Sequence, residues 1–459
     1  MPPKALVVGM RRSGIASAEL LVQQGAHVRA TDLKPLADLG PAEELVKRLG
    51  IPFAQQNDSV FEGADLIVLS PDVPADLPAL EAARCRGARV IGEVELAAPL
   101  LKGRTIGITG SNGKTTTTSL IGHILQSAGM AVQVGGNIGT PVTAMIATSR
   151  AGGWNVLELS SFQLETIAAF RADIGLALNV TQNHLDRHHT FDNYAAAKRR
   201  LFETMTAADC AVLNAEDPVC ASFARHTVAT VKWFSGARAV EPGAYRQGGE
   251  LVLDGRRLMT VDEIPLRGSH NVENVLAASV AASRAGVGHA EIAAAVKTFH
   301  AVEHRLEFVR TLNGVDFYND SKATSVDATL KALDAFDGGL WVILGGKDKG
   351  LDYAPLRAPL AAKARAALLI GAAAAKIAAA LAGSAPLVEA GTLDGAVRTA
   401  YARAQPGDTV LLAPACASFD QFRSFEHRGE TFKEIVKSLG GAGDPACQPI
   451  LSPLPESES

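Results

Sequence analysis

Short apolar runs, each closed by glycine or by Ser, Thr, Asn or Asp, alternate along this chain with segments of helical period, and the pattern restarts three times. Parallel strands cannot be joined by a tight turn, so an apolar run followed by a helical segment spells a strand–helix–strand unit and a mostly parallel sheet. At 459 residues the chain exceeds what one hydrophobic core serves, and about three domains of ordinary size are expected. The blocks fall at 1–95, 96–302 and 303–459. The first is predicted to hold strands at 5–8, 27–30 and 65–69 and a helix over 14–25. The second holds strands at 105–108, 155–159 and 174–179, with a helix from Lys114. Residues 236–267 read as an excursion of short polar strands with glycine turns, before an alanine-rich helix over 271–286. The third holds strands at 316–319, 340–344, 367–370 and 409–413, separated by alanine-rich helices such as 372–381, and reads as another doubly wound unit. From about 442 a Gly-rich and then Pro/Ser/Glu-rich end is expected to fray.

Composition removes whole classes of function. With 47% hydrophobic, 20% charged and 5% aromatic residues, the chain can bury a core, and disorder is not the default. A net charge of -4 gives no basic field for a phosphate polymer, so nucleic acid is a poor partner while small anions can bind at local sites. Met1-Pro2-Pro3-Lys4 runs straight into the apolar Ala5-Leu6-Val7-Val8, without the long apolar stretch and small-residue cleavage site of a signal peptide. No charge-free stretch is long enough to cross a bilayer. The five cysteines, Cys85, Cys210, Cys220, Cys416 and Cys447, are scattered and contain no C-x-x-C pair, which suits a reducing compartment. The expectation is a cytoplasmic protein without membrane insertion.

The strand at 105–108 runs into Thr109-Gly110-Ser111-Asn112-Gly113-Lys114-Thr115-Thr116 and then a helix. Such a loop wraps phosphate oxygens with backbone N–H groups, a lysine reaches the β- and γ-phosphates, and a hydroxyl beside it serves Mg²⁺. Lys114 and Thr115 fill those two positions. The strict spacing G-x-x-x-x-G-K-[ST] is not met, since its first glycine falls on Ile108. The expected fold class is α/β in three domains: a Rossmann-like first domain, a central P-loop ATP-binding domain and a Rossmann-like third.

Gly9-Met10-Arg11-Arg12-Ser13-Gly14 follows the first strand in the place of a dinucleotide fingerprint, with Arg11 where the second glycine belongs. A side chain there disfavours NAD, whereas a guanidinium beside a diphosphate is acceptable; a purely structural turn is the other reading. Glu158 ends a buried-looking strand, where a carboxylate requires a partner. His184 lies in Asn183-His184-Leu185-Asp186-Arg187-His188-His189, and Lys198 follows in Ala195-Ala196-Ala197-Lys198-Arg199. Taken singly, the first is a hydrogen-bonded loop histidine and the second a solvated helix charge. Asn319-Asp320-Ser321-Lys322-Ala323-Thr324 stands just beyond a strand, where open α/β sheets bind ligands, though Asp320 and Lys322 also suit an N-cap and a surface charge.

Together these segments resemble the Mur ligase family, whose members share three domains and join amino acids to a UDP-linked muramoyl carboxylate. Residues 109–116 are similar to its ATP loop, His270-Asn271-Val272-Glu273-Asn274 to its adenine-contacting segment, and His304-Arg305 to the start of its third domain. Residues 159–165, 319–324 and 414–422 narrow the likeness to the branch that adds D-glutamate. The resemblance implies an ATP-dependent acid–amino-acid ligase of peptidoglycan synthesis, a monomer whose substrates are UDP-N-acetylmuramoyl-L-alanine and D-glutamate. It implies catalytic roles for Lys114, Glu158, His184, Lys198 and Lys322. ATP contacts map to Gly110, Ser111, Asn112, Gly113, Lys114, Thr115, Thr116, Asn271, Asn274, Arg305, Asp320 and Lys322. Two Mg²⁺ ions are implied at Thr115, Glu158, His184 and Lys198, the last as a carbamate. The UDP-substrate maps to Ser13, Asp32, Lys34, Ser70 and Asn137, and D-glutamate to Thr324, Lys349, Ser418 and Phe425. Arg11, Leu33 and Asp72 depart from the family pattern, Leu33 standing where a hydroxyl residue can occur and Asp72 in place of glycine.

The implied chemistry follows from a poor leaving group. A carboxylate oxygen does not leave when an amine attacks, so the γ-phosphoryl of ATP first makes an acyl phosphate, which the amine of D-glutamate opens with loss of phosphate. Lys114, Lys322 and Mg²⁺ would neutralise the phosphoryl oxygens. The incoming ammonium loses its proton to His184 or to a metal-held oxygen, and the residues leave both open. A ligase adding a different amino acid, or a nucleotide-binding regulator without catalysis, is the rival reading.

Overall fold

The computed structural model describes residues 3–300 and 303–440. The expected frayed tail and Cys447 lie outside the described residues.

The first sheet is built from β1 (Lys4–Val8), β2 (His27–Asp32), β3 (Phe53–Gln55), β4 (Leu66–Leu69) and β5 (Arg89–Gly92). Its order is β3-β2-β1-β4-β5, parallel throughout. Alternate residues of β1 enter different cores: Ala5 and Val7 pack with Leu21 of the helix Arg12–Gln23, Leu6 and Val8 with Leu80 of the helix Pro78–Cys85. Both faces are covered, which is why the strand reads as one unbroken apolar run.

The second sheet holds β6 (Arg104–Thr109), β7 (Val132–Gly136), β8 (Trp154–Glu158), β9 (Ile174–Ala177), β10 (Cys210–Asn214), β11 (Thr230–Ser235), β12 (Gly243–Gln247), β13 (Glu250–Leu253) and β14 (Arg256–Thr260). The order is β14-β13-β12-β11-β10-β9-β6-β8-β7. Pairing is parallel from β7 to β12 and antiparallel from β12 to β14. The excursion expected at 236–267 is thus no separate element: it extends the middle sheet by an antiparallel edge.

The third sheet holds β15 (Glu307–Leu312), β16 (Val315–Asn319), β17 (Leu340–Gly345), β18 (Ala364–Ile370), β19 (Leu387–Gly391) and β20 (Thr409–Leu412), in the order β15-β16-β20-β17-β18-β19. Only β15 runs antiparallel to its neighbour. The α/β class with three sheets is as the sequence predicts.

The chain divides into two compact units, one built on the first two sheets, the other on the third together with residues 265–271. Two buried carboxylates explain why the first two sheets form one unit. Glu93 accepts from Thr143 N and Oγ1 at 2.7 and 3.1 Å, and Glu95 accepts from the N–H groups of Ala168, Ala169 and Phe170, each at 2.9 Å. Buried carboxylates must find such donors, so the partners are fixed rather than optional. Burial pushes the Glu93 carboxyl up. Among the described residues no helix is long and apolar enough to cross a membrane.

Candidate active site

In the middle sheet β6 lies between β9 and β8, so the loop leaving β6 meets the carboxyl ends of both neighbours. Thr109 Oγ1 donates to Leu159 O at 3.0 Å. On the other side Asn112 N donates to Asn179 Oδ1 at 2.8 Å, and Asn179 Nδ2 returns a bond to Asn112 O at 3.1 Å. The helix Lys114–Ser127 starts immediately after Gly113. Gly113 has φ +82°, and a Cβ there would stand 2.4 Å from Asn274 Oδ1, so both conformation and space demand glycine. Lys114 Nζ donates to the carbonyls of Gly110 and Ser111 at 2.8 and 3.1 Å. The lysine is therefore folded over the loop it would serve.

Thr115 Oγ1, in the first turn of that helix, donates to Glu158 Oε2 at 2.8 Å. Asn137, in the loop after β7, donates to Glu158 Oε1 at 2.8 Å. Glu158, the last residue of β8, is thereby given the partners its burial demands. Among the described residues no group of three or more His, Cys, Asp and Glu could hold a metal ion. A hydroxyl and one carboxylate side by side are nevertheless hard oxygen donors of the kind that hold Mg²⁺ together with phosphate oxygens and water, so these two residues fit that ion.

Lys198 is 1% exposed, which overturns the solvated-helix reading of this residue. Its Nζ donates to Gly110 O at 2.8 Å and lies 4.6 Å from the ring centroid of Tyr194. Burial, and secondly the Lys114 charge, hold its amine well below the usual lysine range. His184 caps the short helix Leu185–His188 with φ 53° and is exposed; its ring meets Phe162 edge-on at 4.9 Å and lies 6.2 Å from Tyr194. Of the residues expected around a metal, Thr115 and Glu158 touch directly, Lys198 stands at the loop carbonyl, and His184 packs against Phe162.

A cleft of about 770 Å³ opens at the carboxyl end of the first sheet, lined among others by Arg11, Ser13, Asp32, Leu33, Lys34, Ser70, Asp72 and Asn137. It lies at the carboxyl ends of β1 and β4, where the strand order reverses and open sheets bind ligands. Asp32 accepts from Met10 N at 2.7 Å and Lys34 N at 3.0 Å, and Ser70 Oγ donates to Gly9 O at 2.6 Å. The residues expected for the UDP-substrate thus line one cavity, and Asn137 belongs both to it and to the Glu158 cluster.

In the second unit the loops after β16, β20 and β17 leave adjacent parallel strands at one end. Lys349 Nζ donates to Thr324 O at 3.2 Å, Ser321 Oγ to Phe425 O at 2.8 Å, and Ser418 is buried. Lys322 Nζ lies 5.7 Å from the Phe425 ring centroid. Asp320 is buried with Arg305 Nη1 3.9 Å away, and it is Ser325, not Asp320, that caps the following helix. Asn271 Nδ2 donates to Arg267 O at 2.6 Å.

Three structural partners escape the sequence reading. Asn179 clasps Asn112; Tyr194 places its hydroxyl 2.9 Å from Ser111 Oγ; Arg428 is fully buried and donates to Ser321 Oγ and O at 2.9 and 2.8 Å and to Cys416 O at 3.2 Å. Two had a signal. Tyr194 and Lys198 stand four apart on one helix, and Arg428 sits on the apolar stripe that Phe432 and Val436 continue.

Comparison with known proteins covers all three sheets. Residues 3–92 match the family model described as Mur ligase MurD-like, N-terminal domain; 108–282 match the Mur ligase middle domain; 304–416 match the Mur ligase, glutamate ligase domain. The UDP-N-acetylmuramoylalanine–D-glutamate ligase of Solibacter usitatus is 75% identical over 436 residues, 95% of this chain and 98% of the relative. That of Acidobacterium capsulatum is 50% identical over 447 residues, 96% of this chain and 97% of the relative. The crystal structure of the UDP-N-acetylmuramate–alanine ligase MurC from Thermotoga maritima superposes with a TM-score of 0.61 at 18% identity, over 95% of this chain and 99% of that one. Three domain matches in chain order, each on its own sheet, and identity sustained from end to end describe the whole chain rather than one motif, and on that ground it belongs to the Mur ligase family.

Proposed function

We propose that this chain joins D-glutamate to the L-alanyl carboxylate of UDP-N-acetylmuramoyl-L-alanine through an acyl phosphate, releasing ADP and phosphate, in peptidoglycan precursor synthesis. The observation that carries this reading is the position of Asn137. It lines the nucleotide cleft and donates to Glu158, which in turn accepts from Thr115 beside the phosphate loop. A sugar–nucleotide held in the cleft therefore has its reacting end directed at the phosphate loop. The relatives named for this reaction support the choice of amino acid.

In this reading the backbone of Gly110 to Gly113 cradles the ATP phosphates, and Lys114 leaves its two loop carbonyls to follow the γ-phosphoryl oxygens during transfer. Thr115, Glu158, His184 and a carbamate on Lys198 would hold two Mg²⁺ ions, which when bound neutralise phosphate charge. Asn271, Asn274, Arg305, Asp320 and Lys322 are assigned to ATP, and Thr324, Lys349, Ser418 and Phe425 to D-glutamate. The proton of the incoming ammonium is assigned to His184 or to a metal-held oxygen. The enzyme is proposed to act as a monomer in the cytoplasm. Phosphate release by purified protein given ATP, Mg²⁺, UDP-N-acetylmuramoyl-L-alanine and one amino acid at a time tests the assignment. Release is expected with D-glutamate; release with L-lysine and none with D-glutamate would sink it.

A further inference from the structure

Arg11 and Asp72 face each other across the nucleotide cleft. Arg11 stands in the loop after β1 and Asp72 in the loop after β4, and these strands are parallel neighbours, so both loops leave the same end of the sheet. Arg11 Nη1 donates to Asp72 Oδ2 at 2.8 Å, with side chains 78% and 63% exposed, and both residues line the cleft.

The two partners differ in freedom. The Arg187 guanidinium, largely buried, donates to the carbonyls of Asp72 and Val73 at 3.3 and 2.7 Å and is held by Glu165 at 3.0 Å. Asp72 is thus clamped through its backbone. Arg11 precedes the helix Arg12–Gln23 and makes no side-chain capping bond, so its long side chain is the part that can swing. Asp32 has its two oxygens on the N–H groups of Met10 and Lys34, and Arg12 donates to Gly139 O.

We propose that Arg11 and Asp72 form an exchangeable pair: Asp72 is a built-in anion for the Arg11 guanidinium, and a diphosphate entering the cleft takes its place. The proposal rests on the cleft being the UDP-substrate site. A diphosphate offers a planar guanidinium more charge and more acceptor oxygens than one carboxylate does. The carboxylate left behind stays solvated and repels the phosphates. Asp72 therefore weakens the binding of phosphate-bearing ligands alone: a ligand without phosphate does not draw Arg11 away and is not opposed by the carboxylate, so the pair tempers the affinity for the diphosphate by competition.

Calorimetric titration of the intact protein with UDP and with uridine tests this. Asp72→Asn should tighten UDP by about three- to fivefold at low ionic strength, the scale of an exposed ion pair, less at high salt, and leave uridine unchanged. Arg11→Gln should weaken UDP by ~10-fold or more, as for a lost hydrogen bond to a charged group, again without effect on uridine. UDP affinity that is unchanged or weaker in Asp72→Asn overturns the exchange, as does an equal gain for uridine. Wild-type protein that binds no UDP overturns the cleft assignment itself, and the exchange with it.

Discussion

Lys114 and Lys198 donate to the same acceptor, the carbonyl oxygen of Gly110, each at 2.8 Å. Two ammonium groups on one oxygen repel, and the buried one is the one that cannot be rescued by water. Burial first, and the neighbouring Lys114 charge second, hold the Lys198 amine well below the usual lysine range. The Gly110 carbonyl thus meets one half-buried lysine, Lys114, and one buried amine whose charged form is disfavoured.

Lys114→Ala removes the mobile cation and leaves the cleft residues untouched. Phosphate release should fall by about 10²–10³ or more, the scale of losing one preorganised charge at a transition state. Calorimetry should find UDP-substrate affinity near that of wild type. Lost affinity would mean that the loop and the cleft are not the separate sites described.

Among the described residues Asp320 Oδ1 is buried without a hydrogen-bond partner, and burial raises its carboxyl to about 6 against the opposing Arg305, the Leu306 N–H and Lys322. A carboxyl raised above its unfolded value binds its proton more tightly when folded. It contributes stability that is present at low pH and lost as pH climbs from about 4 through about 6. Asp320→Asn cannot titrate, so between these limits wild type should lose up to about 3 kcal/mol more than the variant. Urea midpoints at successive pH values check this; parallel curves for the two proteins would refute it.

The elements legible in the sequence were those buried on both faces, such as β1, β4, β6 and β17. Two edge strands were not: β3 has three residues, none of them buried, and β19 is half exposed, so neither shows an apolar run. In β7 the glycines at 135 and 136 lower strand propensity, yet packing requires them, since a Cβ at Gly136 would stand 2.4 Å from Glu158 O. Within the site, glycine, lysine and threonine in one loop announce phosphate chemistry by themselves. Glu158 could be marked only as a carboxylate in need of a partner, because Thr115 and Asn137 come from other strand ends. The Arg11–Asp72 pair was legible as two separate departures and not as a contact, since 61 residues separate its members.

Arg428→Met should destabilise the second unit by about 3 kcal/mol or more, because buried acceptors on Ser321 and Cys416 lose their donor, at ~1–3 kcal/mol for each unsatisfied group. These acceptors lie in the loops that carry Thr324 and Ser418, so the KM for D-glutamate should rise while that for the UDP-substrate holds. Denaturant titration and steady-state kinetics together check the pair of effects. A stability equal to wild type would remove Arg428 from this role.

The Lys198 amine stands beside Gly110, held well below the usual lysine range by burial and then by the Lys114 charge. An ammonium in that place would oppose Mg²⁺ at Thr115 and Glu158. A neutral amine can instead attack CO₂, forming an N–C bond and releasing a proton, and the resulting carbamate is an anion with two oxygens suited to that ion directly or through water. Lys198→Ala should accordingly be nearly inactive although folded, since the lysine lies within the helix Phe191–Glu203 and alanine keeps helix propensity. Acetate should restore part of the activity of Lys198→Ala by supplying a carboxylate where the carbamate stood, and Lys198→Arg should gain nothing from acetate. Removal of CO₂ from the buffer should depress the wild-type rate and bicarbonate should return it, with no such response in either variant. If Lys198→Ala turns over as fast as the parent enzyme, the carbamate has no part in the reaction, and the amine is only a hydrogen bond to the loop.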